Sequence, residues 1–193
     1  LQGDLSKIIS TLAATGSPDG YLVPQTWEAA TLTRYYNLRL FKANKGFRYY
    51  GKVHEYLKAP TPVTTRFSGF EIYQDRRRKG CESSPIRWKR DLKLLLAEVT
   101  QDPFNERSWF YLAQTYECLG MQEDARRTYK KRSRMGGFYE ERFISTLRTG
   151  TLFMNLNYPW EKSLAWFMRA FDLIERVEPL LKIARYYIQK KSF

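Results

Sequence analysis

The spacing of apolar residues changes near Pro85. Beyond that position, apolar side chains recur at the three- and four-residue intervals of a helix face. The first helix predicted this way ends at Asp102-Pro103, and its apolar face consists of Trp88, Leu92, Leu95, Leu96 and Val99. Before that position, short aromatic and β-branched runs separated by Gly, Pro and Asn are typical of strands and loops; they lie at 21–23, 35–41, 47–50 and 53–57. We therefore expect one domain over residues 1–84 and a helical domain over 85–193.

The strongest signal in the helical part resembles the 34-residue tetratricopeptide repeat. In that pattern a large residue, a Leu, a small residue and a Tyr are followed by a turn Gly, an Ala and an aromatic residue. The matching residues are Trp109, Leu112, Ala113, Tyr116, Gly120, Ala125 and Tyr129. Small Ala113 and Ala125 would let two helices approach closely, and Gly120 would end the first helix at a positive φ.

Weaker copies of this pattern follow along the chain. Further apolar helix faces are Phe143, Leu147, Gly150, Thr151 and Met154; Trp160, Leu164, Phe167, Met168 and Phe171; and Leu180, Ile183, Ala184 and Tyr187. From Ala125 to Ser163 is 38 residues, so the middle pair carries an insertion, and Arg132 stands where the ideal repeat has Ala. We expect a mainly α fold of about three irregular helical hairpins, preceded by a small α/β region.

Composition narrows the class of protein. The chain has 193 residues, 43% of them hydrophobic, with a formal net charge of +13. No apolar run approaches the roughly 18 residues of a membrane span, and the beginning does not resemble a signal peptide. Two cysteines and one histidine predict neither a disulfide framework nor a zinc site, which favours a reducing, cytoplasmic compartment. The basic residues are spread over helices, so solvated helix faces are favoured over a nucleic-acid partner.

Before the helices, residues 34–42 (RYYNLRLFK) and 47–55 (FRYYGKVHE) resemble the closing segment of the catalytic domain in family 2 glycosyltransferases. That segment reads roughly R-L-F, then R-Y-x-G-x-V-H-E. In a subset of the family it leads into tetratricopeptide repeats, through stretches similar to 90–116 and 136–141. The resemblance covers roughly residues 20–193, and it implies that residues 1–84 are the remnant of a GT-A catalytic domain.

The resemblance also implies a chemistry. Members of the family transfer a sugar from a nucleotide-diphosphate donor to a glycan or protein acceptor, usually with Mn or Mg held by an Asp-x-Asp motif. No Asp-x-Asp occurs in this chain, so we do not expect the chain alone to catalyse transfer. Glu55 would be the catalytic base, and His54 would contact the metal or phosphate. Arg39, Arg76 and Arg77 would bind the substrate phosphates.

Each of these assignments has an alternative. His54 and Glu55 could form a local hydrogen-bonded pair near a strand end, and the similarity does not decide which of them does what. The basic run at 76–79 is favoured as a solvated loop over a diphosphate clamp.

Two functions therefore follow from the sequence. One is the C-terminal part of a sugar transferase whose repeats dock or position an acceptor. The other is a self-standing interaction module without catalysis. In the module, Tyr111, Gln114 and Glu117 would line a groove that holds a partner peptide or protein.

Overall fold

The computed structural model of the chain describes residues 2–3, 6, 10, 16, 18–27, 34–67, 70–74 and 84–190. Contacts divide the chain into two units. Unit 1 contains Leu1–Gly51 and Glu55–Cys81, and unit 2 contains Lys52–His54 and Glu82–Phe193.

Unit 1 is built around a mixed β-sheet. Its strands are β1 (Gln2–Gly3), β2 (Gly20–Trp27), β3 (Arg34–Phe41), β4 (Arg48–Tyr50), β5 (Tyr56–Lys58), β6 (Thr64–Arg66) and β7 (Phe70–Gln74). The order is β1-β7-β2-β3, with β6 also paired to β2, and β4 pairs separately with β5. Strand β2 is antiparallel to β3 and parallel to β6 and β7. Tyr21, Val23 and Phe67 form its buried core.

The described residues of unit 2 form six α-helices joined by short turns. They are α1 (Ser84–Gln101), α2 (Glu106–Cys118), α3 (Gln122–Arg132), α4 (Tyr139–Asn155), α5 (Trp160–Leu173) and α6 (Val177–Lys190). Each helix packs against the next one in the chain, so the predicted mainly α fold of tetratricopeptide-like hairpins is confirmed. No helix in the described part of the chain combines the length and the apolar character that crossing a membrane requires.

The hairpin of α2 and α3 packs as the repeat pattern predicts. Ala113 and Ala125 are completely buried and share a core cluster with Phe110, Tyr129 and Leu152 of α4. Asn105 caps α2, because its side chain accepts a hydrogen bond from the Ser108 backbone N–H at 3.1 Å. Gly120 has a φ of +76°, which confirms the predicted left-handed residue in the turn.

The hairpin of α4 and α5 reaches the same packing with different residues. Its turn uses Asn157 at a φ of +56°, where the first hairpin has glycine. Gly150 of α4 faces α5 so closely that a Cβ atom there would lie 2.8 Å from the Phe167 ring. Phe143, Leu147, Phe167 and Ala170 form the core of this hairpin. The sequence pattern placed Met168 on the buried face, but its side chain is exposed and Ala170 is buried instead.

Fewer apolar side chains of α6 are buried than the sequence pattern predicts. Of the expected α6 face, Ile183 packs against the core of the preceding hairpin. Leu180 and Tyr187 remain 41% and 38% exposed. Their periodicity identifies the apolar side of α6, but no described element covers that side fully.

Candidate functional site

The helices of unit 2 hold a short bent segment of the chain, Lys52–His54. Val53 is partly buried and packs against the core cluster of Leu95, Val99 and Leu112, between α1 and α2. The backbone at His54 is left-handed, with a φ of +53°, which is unfavourable for a residue with a Cβ atom. This turn corrects the strand expected over 53–57, because β5 begins only at Tyr56. Contacts with the helices offset the backbone strain.

His54 is held by two residues of α2. Its imidazole stacks on the ring of Tyr111, with centroids 4.0 Å apart and planes inclined by 12°. The Arg107 guanidinium donates a hydrogen bond to the His54 carbonyl oxygen at 3.2 Å and lies 4.8 Å from the centre of the Tyr111 ring. His54 is exposed as a whole, but the partial burial of its stacked ring lowers its pKa. Asp91 opposes this shift, and Arg107 and Arg87 add to it. The neutral imidazole is therefore the form that this contact favours.

The three predicted groove residues lie on α2, and the structure gives each of them a different environment. Tyr111 contacts His54, as described above. Glu117 accepts hydrogen bonds from Tyr129 at 3.1 Å and from Arg148 of α4 at 3.0 Å, so it also links three helices. The half-buried Gln114 makes no side-chain hydrogen bond within the described part of the chain, which leaves its amide available to a ligand.

A buried network of charged side chains holds Arg107, one of the two α2 residues that contact His54. Arg132 is completely buried and donates to Glu141 Oε2 at 3.0 Å and to the Gly136 carbonyl at 3.0 Å. Glu141 Oε1 accepts from Arg107 at 3.3 Å, the same arginine that binds the His54 carbonyl. The network therefore fixes the Arg107 guanidinium, which contacts the segment Lys52–His54. In the sequence, Arg132 is visible as a departure from the repeat pattern. Arg107 and Val53 carry no such signal, and only their contacts identify them.

Of the residues expected to carry transferase chemistry, Arg39, His54 and Glu55 lie in the described part of the chain. Arg39 donates to the Gln25 side chain at 3.1 Å on the sheet of unit 1. Glu55 is exposed, and no hydrogen bond joins it to His54. Arg76 and Arg77 lie outside the described residues. Among the residues that the structure describes, no group of three or more His, Cys, Asp and Glu side chains could hold a metal ion.

Comparison with known proteins finds likeness among solved structures. No protein-family model and no curated protein sequence matches the chain. Among solved structures, the chain is similar to the N-terminal domain of stress-induced protein-1 (STI-1) from C. elegans. The match has 16% sequence identity and a TM-score of 0.42, and it covers 54% of this chain and 98% of that domain. We infer the helical architecture from the helices of this chain and not from that likeness.

Proposed function

We propose that unit 2 is a protein-interaction module that binds a short peptide segment along α2. The observation that supports this most directly is the docked segment Lys52–His54. The helices receive it with an apolar cluster for Val53, an aromatic platform for His54 and a guanidinium for a backbone carbonyl. Contacts of these kinds can recognise both the side chains and the main chain of a peptide.

The same surface continues along α2 beyond the docked segment. Gln114 follows Tyr111 by three residues and therefore lies on the same side of the helix. A primary amide can donate to a peptide carbonyl and accept from a peptide N–H at the same time. Gln114 thus offers a backbone-reading group next to an aromatic platform. Glu117, tied to Tyr129 and Arg148, stiffens this surface.

The test is to select peptides against the immobilised full chain from a random library and to measure their dissociation constants. We expect Gln114→Ala to weaken the selected peptides about fivefold, because one net hydrogen bond contributes about 1 kcal/mol. Gln101→Ala, a change of the same kind at an exposed position of α1, should leave the affinity unchanged. If the selected peptides bound wild type and Gln114→Ala equally well, the proposed binding surface on α2 would be excluded.

A further variant separates two modes of binding. Val53→Gly with His54→Ala should release the docked segment. If a partner peptide occupies the same surface, this double variant binds it more tightly than wild type. If the peptide lies beside the docked segment, the affinity does not change.

We also propose a second function, for a longer chain that includes an Asp-x-Asp motif upstream. Its support is the resemblance of residues 34–42 and 47–55 to family 2 glycosyltransferases, together with the mixed sheet of unit 1. In such a chain Mn or Mg would bind the nucleotide-sugar donor, Glu55 would take the proton from the acceptor hydroxyl, and unit 2 would dock or position the acceptor. The test is sugar transfer by the extended chain. Glu55→Gln should reduce turnover sharply, and wild-type turnover would exclude Glu55 as the base.

A further inference from the structure

A basic cleft lies on the side of unit 2 formed by α3 and α5. It consists of two adjoining cavities of about 550 and 270 Å³, and Trp166 and Arg169 line both of them. We define the basic cleft by its six cationic side chains, Arg126, Lys130, Arg134, Arg142, Lys162 and Arg169. It shares no lining residue with the peptide-binding surface proposed on α2.

Most of these cations have no acidic partner among the described residues. Arg126 is paired with Glu123, to which its Nε donates at 2.8 Å. The other five make no ion pair with any residue that the structure describes. The Nε of Arg142 is buried, and no described group accepts a hydrogen bond from it. A buried guanidinium N–H without an acceptor is costly, and Arg142 also lines the smaller cavity.

Aromatic rings hold several of the cations in place. The Arg169 guanidinium lies 5.1 Å from the centre of the Trp166 ring, and the Lys162 ammonium lies 5.1 Å from that of Tyr158. Arg126 lies 4.6 Å from the ring centre of Phe153. A guanidinium seated on a ring still presents N–H groups to a carboxylate or phosphate. The same cations cover ring faces on which a nucleobase would have to stack.

Two acidic residues mark the ends of the cleft along α5. Glu161 lies in the first turn of the helix and Asp172 near its end, so the positive charge is concentrated between them. A uniform polyanion would meet a carboxylate at each end of the cleft. A peptide with acidic side chains in its middle would match the cations, and its N–H groups or basic residues would match Glu161 and Asp172.

We propose that the basic cleft binds an acidic segment of a partner protein in an extended conformation. Its carboxylates pair with Arg169, Lys130 and Arg142. The lining residues from Glu161 to Leu173 span about 18 Å at about 1.5 Å per residue of helix. At about 3.3 Å per residue, this length accommodates about five residues of an extended peptide.

The probe for the test is a fluorescein-labelled synthetic peptide in which glutamate alternates with leucine, blocked at both ends. Its binding to the full chain is measured by fluorescence anisotropy. We expect saturable binding that weakens as salt is added, and no binding by a matched peptide with glutamine in place of glutamate. Lys130→Gln and Arg169→Gln should each weaken the acidic peptide about fivefold, the loss expected for one ion pair.

The matched control is Lys93→Gln, which removes an exposed cation of α1 outside the cleft. This variant should bind like wild type, and a loss equal to that of Arg169→Gln would show general attraction to a chain of net charge +13. Tighter binding of an oligothymidylate, or of phosphatidylserine vesicles, than of the acidic peptide would also overturn the proposal, as would the absence of any peptide binding. Gln114→Ala should not alter this affinity, so the result is independent of the surface on α2.

Discussion

Arg132 and Glu141 form a buried ion pair across the turn between α3 and α4, with Nη2 and Oε2 separated by 3.0 Å. Ideal repeats have alanine where this chain has Arg132. Here the guanidinium fills the space beside the turn and also donates to the carbonyls of Gly136 and Phe138. One side chain therefore satisfies both a buried carboxylate and the backbone of an irregular turn.

We predict that Arg132→Ala lowers the free energy of unfolding by about 3 kcal/mol. Breaking a buried pair costs about 3–5 kcal/mol, and the lower end applies because Arg107 still neutralises Glu141. Urea denaturation measures the change. The control Arg127→Ala removes an exposed arginine from the same helix and should cost less than about 1 kcal/mol. A loss for Arg132→Ala no larger than that of the control would contradict the assigned role.

Gly150 sets how closely α4 approaches α5. An added Cβ atom would lie 2.8 Å from a buried Phe167 ring and 3.0 Å from Trp166 Cβ. We predict that Gly150→Ala destabilises the chain by about 2 kcal/mol, since overpacking outweighs the gain in helix propensity. Gly136→Ala is the control, because no atom lies within 4 Å of its added Cβ. Thermal denaturation of both variants measures the difference in stability. If Gly150→Ala were as stable as Gly136→Ala, the prediction would be refuted.

The first hairpin could be predicted from the sequence because local and tertiary requirements coincide there. Gly120 ends a helix and also starts the turn, and Ala113 and Ala125 must be small wherever two helices pack closely. In the second hairpin Asn157 and Gly150 fill corresponding roles. Asparagine tolerates a left-handed backbone, but it also occurs in many other turns, so its role emerges only from the fold.

The docked segment could not be predicted, for a different physical reason. Residues 53–57 have the composition of a strand, and local preference alone favours an extended chain. Packing of Val53 and stacking of His54 on α2 override that preference and force the turn. Likewise the pattern of α6 identifies its apolar side, but periodicity carries no information about whether another element covers Leu180 and Tyr187.

Glu123 should give acid sensitivity to the first turn of α3. Its carboxylate accepts hydrogen bonds from Arg126 and Arg127, and the bond from Arg126 is the main reason why its pKa falls from 4.5 to about 2. Because the folded pKa is depressed, the resulting stability is present above about pH 4.5 and is lost as the pH falls towards 2. Carbon-13 NMR of the Glu123 carboxyl measures this pKa directly. Arg126→Gln should return the pKa towards 4.5, and a wild-type value already near 4.5 would refute the assignment.

His54 should make the docking of Lys52–His54 depend on pH near neutrality. Burial lowers its pKa below 6.5, so the protonated imidazole favours the released segment. The contribution to stability is complete above about pH 6.5 and is lost as the pH falls through the lower folded pKa. His54 is the single histidine of the chain, so its NMR signals are unambiguous and report both this pKa and the ring contact with Tyr111. His54→Phe keeps an aromatic ring without a titrating group, so Tyr111 should stay in contact at every pH. A His54 pKa at or above 6.5 in the wild-type chain would show that the imidazole is not held against α2.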